Sequence, residues 1–342
     1  MKKIIVILVV IFSIFAAVSP KILGFSVFHL GHALEVASAM SAKLACSGRY
    51  VTGLDEATAF DDLSSYSPAT KLVELDYSEK HTVKSSFLGL SHSQAKYREG
   101  LGCSLVLTDN STDSTNADAQ TKLDNISVPK IKASTLEWPL GESVSSIEPA
   151  IQTKLNEIVK SDNQQGLITR ALVVVKDGQI VAESYGDNIT PDSKLLGWSM
   201  AKSVTAMMLA RMQQLDLISD NPNYLFPQWQ DERSELTLKN LLTMSSGLEF
   251  DETYAPGTDA THMLFTAYSA SGVAMTSPLT KAPDSFFSYS SGTTNLLSRF
   301  IHDQLGGSTQ ADINFLFEQL FKPLGLSNSI FETDSSGVFV GS

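Results

Sequence analysis

At 342 residues and 43% hydrophobic composition, the chain is long and apolar enough to bury one large core or two smaller ones, which argues against a disordered protein. Its formal net charge of −12, from 25 Lys and Arg against 37 Asp and Glu, argues against a general nucleic-acid binder, because neutralising phosphates requires clustered cations. No nucleic-acid partner is therefore expected.

The chain starts "MKKIIVILVVIFSIFAAVSPK". Lys2 and Lys3 precede an uncharged, mostly aliphatic run from Ile4 to Val18, the pattern of a bacterial-type export signal. Ala16, Ala17 and Ser19 are small enough for processing, yet Pro20 disfavours it, and only Lys21 interrupts a further apolar stretch to Leu34. A cleaved signal and a retained membrane anchor over residues 1–36 both stand. The expected location is outside the cytoplasm, in the periplasm or anchored to the outer face of the inner membrane.

Export decides how the two cysteines are read. Cys46 and Cys103 are the only pair present, and in an oxidising compartment a single pair becomes a structural disulfide, with two buried thiols as the alternative. No histidine is spaced beside them as a metal ligand would be. Residues 37–136 read as an N-terminal extension of mixed character, stapled by these cysteines, with an exposed polar loop at Thr108–Lys122 and no evident chemistry.

A second domain is expected over 137–342. "SSIEPAIQTKLNEIVKSD" places Ile147, Ile151, Leu155 and Ile158 on one helical stripe. "ALVVVKDGQIVAESYG" then gives two β-prone runs joined by Asp177-Gly178, the signal of a two-residue hairpin. From Ser199 onward the pattern is mainly helical, in "LTLKNLLTM", "THMLFTAYSA", "TTNLLSRFIHDQL" and "ADINFLFEQLF".

The candidate chemistry lies in "GWSMAKSVTAMM". Ser199 and Lys202 stand three apart at the mouth of a helix, so they share a face, and the positive end of the helix lies beside any charge developing on Ser199. A serine hydroxyl needs a base, and lysine serves as one only when desolvated. Trp198, Met200, Ala201, Val204, Met207 and Met208 supply apolar surroundings without an acid. The spacing alone is weak: "SQAK", Ser93–Lys96, repeats it with no such helix behind it. A helix cap with a surface lysine remains the plain alternative for Ser199 and Lys202, and a packing role the alternative for Tyr289.

The ordered set of hairpin, "GWSMAKS", "LTLKNLLTMSSGLEF" and "FFSYSSGTTNLLSRFI" resembles the serine hydrolases of the β-lactamase and penicillin-binding-protein superfamily. It is most similar to the class C β-lactamase-related branch, which includes D-aminopeptidases, family VIII carboxylesterases and 6-aminohexanoate-dimer hydrolases. The resemblance runs from about Ser145 onward. It implies an α+β, β-lactamase/transpeptidase-like fold, an antiparallel sheet flanked by helices with a helical subdomain. It also implies an acylated nucleophile at Ser199, a base or proton relay at Lys202 and a proton-sharing phenol at Tyr289. The substrate class would be a small-molecule or peptide-like amide or ester, with no metal or organic cofactor.

Two departures stand out. Ser291 occupies the third position of the second motif, where the family commonly has asparagine, so the substrate-positioning amide is replaced by a hydroxyl. The family's third motif, lysine or histidine with a following glycine, does not occur after Tyr289. The sequence is accordingly read as an incomplete copy of a longer enzyme, whose sheet would lack its later strands and expose an edge. An α/β-hydrolase is disfavoured because Ala201 replaces the second glycine of its motif and neither His262 nor His302 follows a suitable aspartate. A metallohydrolase is disfavoured because "HLGH", His29–His32, has no accompanying carboxylate cluster. The rival of a different class is a penicillin- or peptidoglycan-recognising module with little or no catalysis.

Overall fold

The computed structural model describes residues 16, 18, 19, 21, 25–108, 116–219, 222 and 224–342. Most of the expected export signal, and residues 109–115 of the polar loop, lie outside the described residues. Among the described residues no helix is long and apolar enough to cross a membrane.

The extension is a helix laid across a sheet. Helix α1 (Leu30–Cys46), which runs across the expected boundary at residue 36, is followed by α2 (Glu56–Tyr66), capped by the Asp55 carboxylate on the Thr58 N–H. Strands β1 (Val73–Asp76), β2 (Thr82–Phe87), β3 (Ser91–Arg98) and β4 (Gly102–Leu105) form an antiparallel sheet in sequential order. α1 buries Val36, Ala39, Ala42 and Ala45 against Val83, Ala95 and Leu105, and the Cys46–Cys103 disulfide closes the contact as expected. The seam also uses serine: Ser38 Oγ lies 2.8 Å from Ser91 Oγ and 3.1 Å from Ser93 Oγ, while Ser85 Oγ donates to the Ser38 carbonyl at 2.6 Å. Small side chains let helix and sheet approach, and the hydroxyls satisfy one another in the closed space.

In this region burial pushes the Tyr77 hydroxyl up from 10.0 to about 12, and its oxygen is buried with no hydrogen-bond partner among the described residues. Because the folded state holds that proton more tightly, the contribution is complete below pH 10 and is lost as the pH rises from there through the folded value. Tyr77→Phe is therefore expected to match or exceed the parent in urea unfolding at pH 7 and to lose less stability above pH 10. A large loss at pH 7 would show that the hydroxyl has a partner.

A short helix α3 (Asn116–Asp124) places Asp124 against Lys96 and Arg98. Helix α4 (Pro149–Gln164) then packs on the hairpin of β5 (Ala171–Lys176) and β6 (Gln179–Tyr185). The hairpin turns at Asp177 and Gly178, whose φ values of 51° and 74° fit a two-residue turn with both central residues left-handed. The buried stripe of α4 is Leu155 with Val159; Ile147, expected on that stripe, lies before the helix begins at Pro149, and Ile158 stays partly exposed because the hairpin covers only a narrow strip of the helix. β5 and β6 form a two-stranded sheet, with Val173 and Val175 half-exposed. An Arg170–Asp62 ion pair joins the hairpin to α2.

The remainder is a helical body around one core. Helices α5 (Ala201–Gln214), α6 (Leu238–Leu242), α7 (Asp259–Phe265) and α8 (Ala270–Met275) surround α9 (Ser291–Gln304), and α10 (Thr309–Leu316) closes the far side. Met208, Leu209, Met212, Phe226, Leu296 and Phe300 pack at its centre. α9 is buried on nearly every side, and several of its polar residues are paired inside: His302 Nδ1 lies 2.5 Å from Asp312 Oδ2, and Asn295 donates to the Ser291 carbonyl at 2.9 Å, while the buried Ser298 hydroxyl has no partner among the described residues. Burial raises the Asp312 carboxyl above the ordinary carboxylate range. Among the described residues the His262 ring bonds to neighbouring Thr266 on an exposed face, so both histidines have local roles.

Candidate active site

The site forms where α5 and α9 begin. The chain enters α5 through a 3₁₀ turn, Trp198–Met200, with Trp198 at a φ of +43°. A bulky residue pays for that left-handed conformation, and such strain persists only where surrounding structure holds it. Here it lies in the turn that carries the chain from the irregular residues 193–197 into α5, with Ser199 at the middle of that turn.

Lys202 follows one turn later, and its Nζ lies 3.0 Å from Ser199 Oγ. The control pair behaves otherwise: Ser93 and Lys96 lie on β3, where residues three apart face opposite sides, and Lys96 pairs with Asp124. Fold context, rather than spacing, separates the two matches.

Tyr289 arrives from 90 residues further on, just before α9, and its hydroxyl donates to Ser199 Oγ at 2.7 Å. The Lys202 ammonium also lies 4.9 Å from the centre of the Tyr289 ring. Of the two serines that follow, Ser290 caps α9 by accepting the Thr293 N–H, whereas Ser291 points inward. Ser291 is 0% exposed, and its Oγ accepts from Lys202 Nζ at 3.1 Å. In place of an amide aimed at substrate, this position offers a hydroxyl turned toward the lysine.

One further group, which no local pattern singled out, joins the cluster. Glu252 Oε1 accepts from Ser291 Oγ at 2.5 Å and from Tyr254 OH at 3.0 Å, and Oε2 accepts the Ser291 N–H at 2.7 Å. Burial is the main cause raising the Tyr254 phenol, and the neighbouring Glu252 charge adds to it. Gly292 makes this approach feasible, since a Cβ there would stand 2.5 Å from the Phe250 ring. The loop bearing Glu252 can therefore close against the start of α9. Within "GLEFDETY" the acid reads as one of several solvated charges, and no local signal links it to Ser291.

Ser199 Oγ is thus flanked by two proton donors, Lys202 and Tyr289. Such an arrangement can hold the oxygen as it becomes negative, and either partner, once deprotonated, can take the serine proton. Among the described residues no carboxylate forms an ion pair with Lys202.

A cavity of about 440 Å³ lies behind the turn, lined by Trp198, Ala201, Val204, Leu105, Met263 and Phe331 among others. Ser199, Lys202 and Tyr289 do not line it, so this apolar space is not where the proton-carrying groups meet.

A family model described as Beta-lactamase matches residues 151–340. Among solved structures, a putative 6-aminohexanoate-dimer hydrolase from Bacillus anthracis is 17% identical with a TM-score of 0.45, covering 69% of this chain and 67% of its own. FmtA from Staphylococcus aureus is also 17% identical, with a TM-score of 0.41, covering 58% of this chain and 54% of its own. No curated protein matches the sequence.

Proposed function

The chain belongs to the β-lactamase family, within the β-lactamase and penicillin-binding-protein-like serine hydrolases, and from that premise we propose that it cleaves an amide or ester bond through an acyl-serine at Ser199. The observation that carries this reading is the convergence of Lys202 Nζ and Tyr289 OH, at 3.0 and 2.7 Å, on one serine oxygen. Packing alone gives no reason for three polar groups from two distant segments to meet at the mouth of a helix.

In the proposed reaction Ser199 Oγ attacks the substrate carbonyl while its proton passes to one of its two direct partners, the Lys202 amine or the Tyr289 phenolate, whichever is deprotonated. The first N–H groups of a helix lack intrahelical partners, so the Ser199 N–H and the positive end of α5 are placed to receive the carbonyl oxygen as it becomes negative. Tyr289, 42% exposed and reaching the oxygen from the solvent side, then protonates the departing amine or alcohol. Water enters, gives its proton back along the same groups and releases the acyl product. The substrate is a small-molecule or peptide-like amide or ester.

Export is part of the proposal. It is supported by the basic-then-aliphatic start of the sequence and by the Cys46–Cys103 disulfide, since such bonds persist in oxidising compartments.

A fluorophosphonate probe and a fluorescent penicillin test the reading together. Labelling of the folded parent is expected, and Ser199→Ala is expected to abolish it. A folded parent that takes neither label would overturn the hydrolase reading and leave the recognition module. That second reading has one observation in its favour, the inward-turned Ser291 hydroxyl in place of an amide.

A further inference from the structure

Glu252 is tied to Ser291 twice, and the second tie has a consequence for Lys202. A serine hydroxyl carries one proton, and an ionised carboxylate can only accept. At 2.5 Å from Glu252 Oε1, Ser291 must therefore spend its proton on the carboxylate. Its remaining lone pairs face Lys202 Nζ at 3.1 Å, so Ser291 can accept from the lysine but cannot donate to it.

This polarity matters most when the lysine is a neutral amine. It then has two protons and one lone pair. With Ser291 able only to accept, one N–H is fixed on Ser291, and the lone pair is left for the proton of Ser199, 3.0 Å away. Were Ser291 free to donate, its hydroxyl would compete for that lone pair, and the amine would face the nucleophile with an N–H instead.

We propose that Glu252 is a positioning residue of the active site, which fixes the direction of the Glu252–Ser291–Lys202–Ser199 hydrogen-bond chain and so aims the Lys202 lone pair at the nucleophile. The inference rests on the acyl-serine reading above. Tyr254, donating to the same carboxylate oxygen as Ser291, helps to hold it in place. Glu252 does not touch the substrate or the reacting atoms; it acts through Ser291.

Glu252→Gln separates this role from simple capping. The amide oxygen still accepts the Ser291 N–H, preserving the tie to the start of α9, while the amide N–H₂ presents donors to Ser291 Oγ and frees the serine proton to turn toward Lys202. With a p-nitrophenyl ester as substrate, kcat is expected to fall at least about tenfold with KM little changed. Ser291→Ala, which leaves Glu252 in place but removes the relay oxygen, is expected to show a comparable fall. The double variant should then be no slower than Ser291→Ala alone, because two residues acting through one contact are not additive.

A Glu252→Gln enzyme with parental kcat overturns the proposal, as does a double variant whose loss is the product of the two single losses. If Glu252→Gln fails to fold, Ser291→Ala still decides: parental kcat in that variant removes the relay. A folded parent that the ester does not acylate overturns the hydrolase reading and this relay with it, whereas an acylated parent with an indifferent Glu252 overturns the relay alone.

Discussion

Lys202→Ala slows acylation of Ser199 at pH 7 by about a thousandfold, within the range general-base catalysis supplies, while shifting the urea midpoint little. The asymmetry follows from the lysine's contacts. Its Nζ is bonded to Ser199 Oγ and Ser291 Oγ, and it forms no ion pair among the described residues. Removing the side chain leaves no buried carboxylate uncompensated, the usual source of a large penalty when one member of a pair is lost. Ser291 keeps Glu252 as its acceptor, so its hydroxyl stays satisfied. The nucleophile, by contrast, loses the group best placed to take its proton, and Tyr289 remains as its direct side-chain partner among the described residues. Stopped-flow release of nitrophenol measures the first turnover, and the same samples give the unfolding midpoint. Equal acylation rates in variant and parent would take the lysine out of the mechanism and leave Tyr289 as the base. A midpoint that drops sharply would instead make Lys202 chiefly structural.

The sequence carried the parts of this site that are local. Three-residue spacing at a helix mouth placed Ser199 beside Lys202, and Asp177-Gly178 placed the hairpin, because both depend only on periodicity and turn chemistry. Tyr289 came from the order of motifs. Glu252 was hidden because its partner lies 39 positions away and its neighbours are ordinary acids. The inward turn of Ser291 was hidden for a related reason: a residue at the start of a helix can face substrate or core, and only the arrival of Glu252 beside it settles which. The four-stranded sheet of the extension escaped notice on different grounds. "TVKSSF" buries Ser85, and "SHSQAKYR" turns the partly buried Ser91 and Ser93 toward α1, where alternation would lead one to seek valine or leucine, so the period-two signal is faint. Their stability draws on a seam of paired hydroxyls, which a hydrophobic pattern does not record.

That seam makes the disulfide the second large lever. The 57-residue separation of Cys46 and Cys103 sets the unfolded-chain entropy that the bond removes, and the loop model puts this at about 4 kcal/mol. Set against net stabilities of roughly 5–15 kcal/mol, such a loss is a large fraction of the whole. The double variant Cys46→Ala, Cys103→Ala should therefore unfold at a markedly lower urea concentration than the oxidised parent. The effect should also reach the nucleophile. Thr52 Oγ1, just beyond α1, donates to the Lys194 carbonyl at 2.7 Å, and Tyr66 of α2 meets the Trp198 ring edge-on at 6.2 Å between centroids. Lys43 and Ser47, at and after the end of α1, bind Glu332, which also accepts the Cys103 N–H at 2.7 Å. The extension thus braces the strained turn that presents Ser199 from two sides. If that bracing holds the turn, the double variant should acylate more slowly than the parent even in the absence of urea, where both are folded. An unchanged midpoint would show that the seam alone holds α1 to the sheet. A lowered midpoint with a parental acylation rate would show that the extension stabilises the protein without shaping the approach to Ser199.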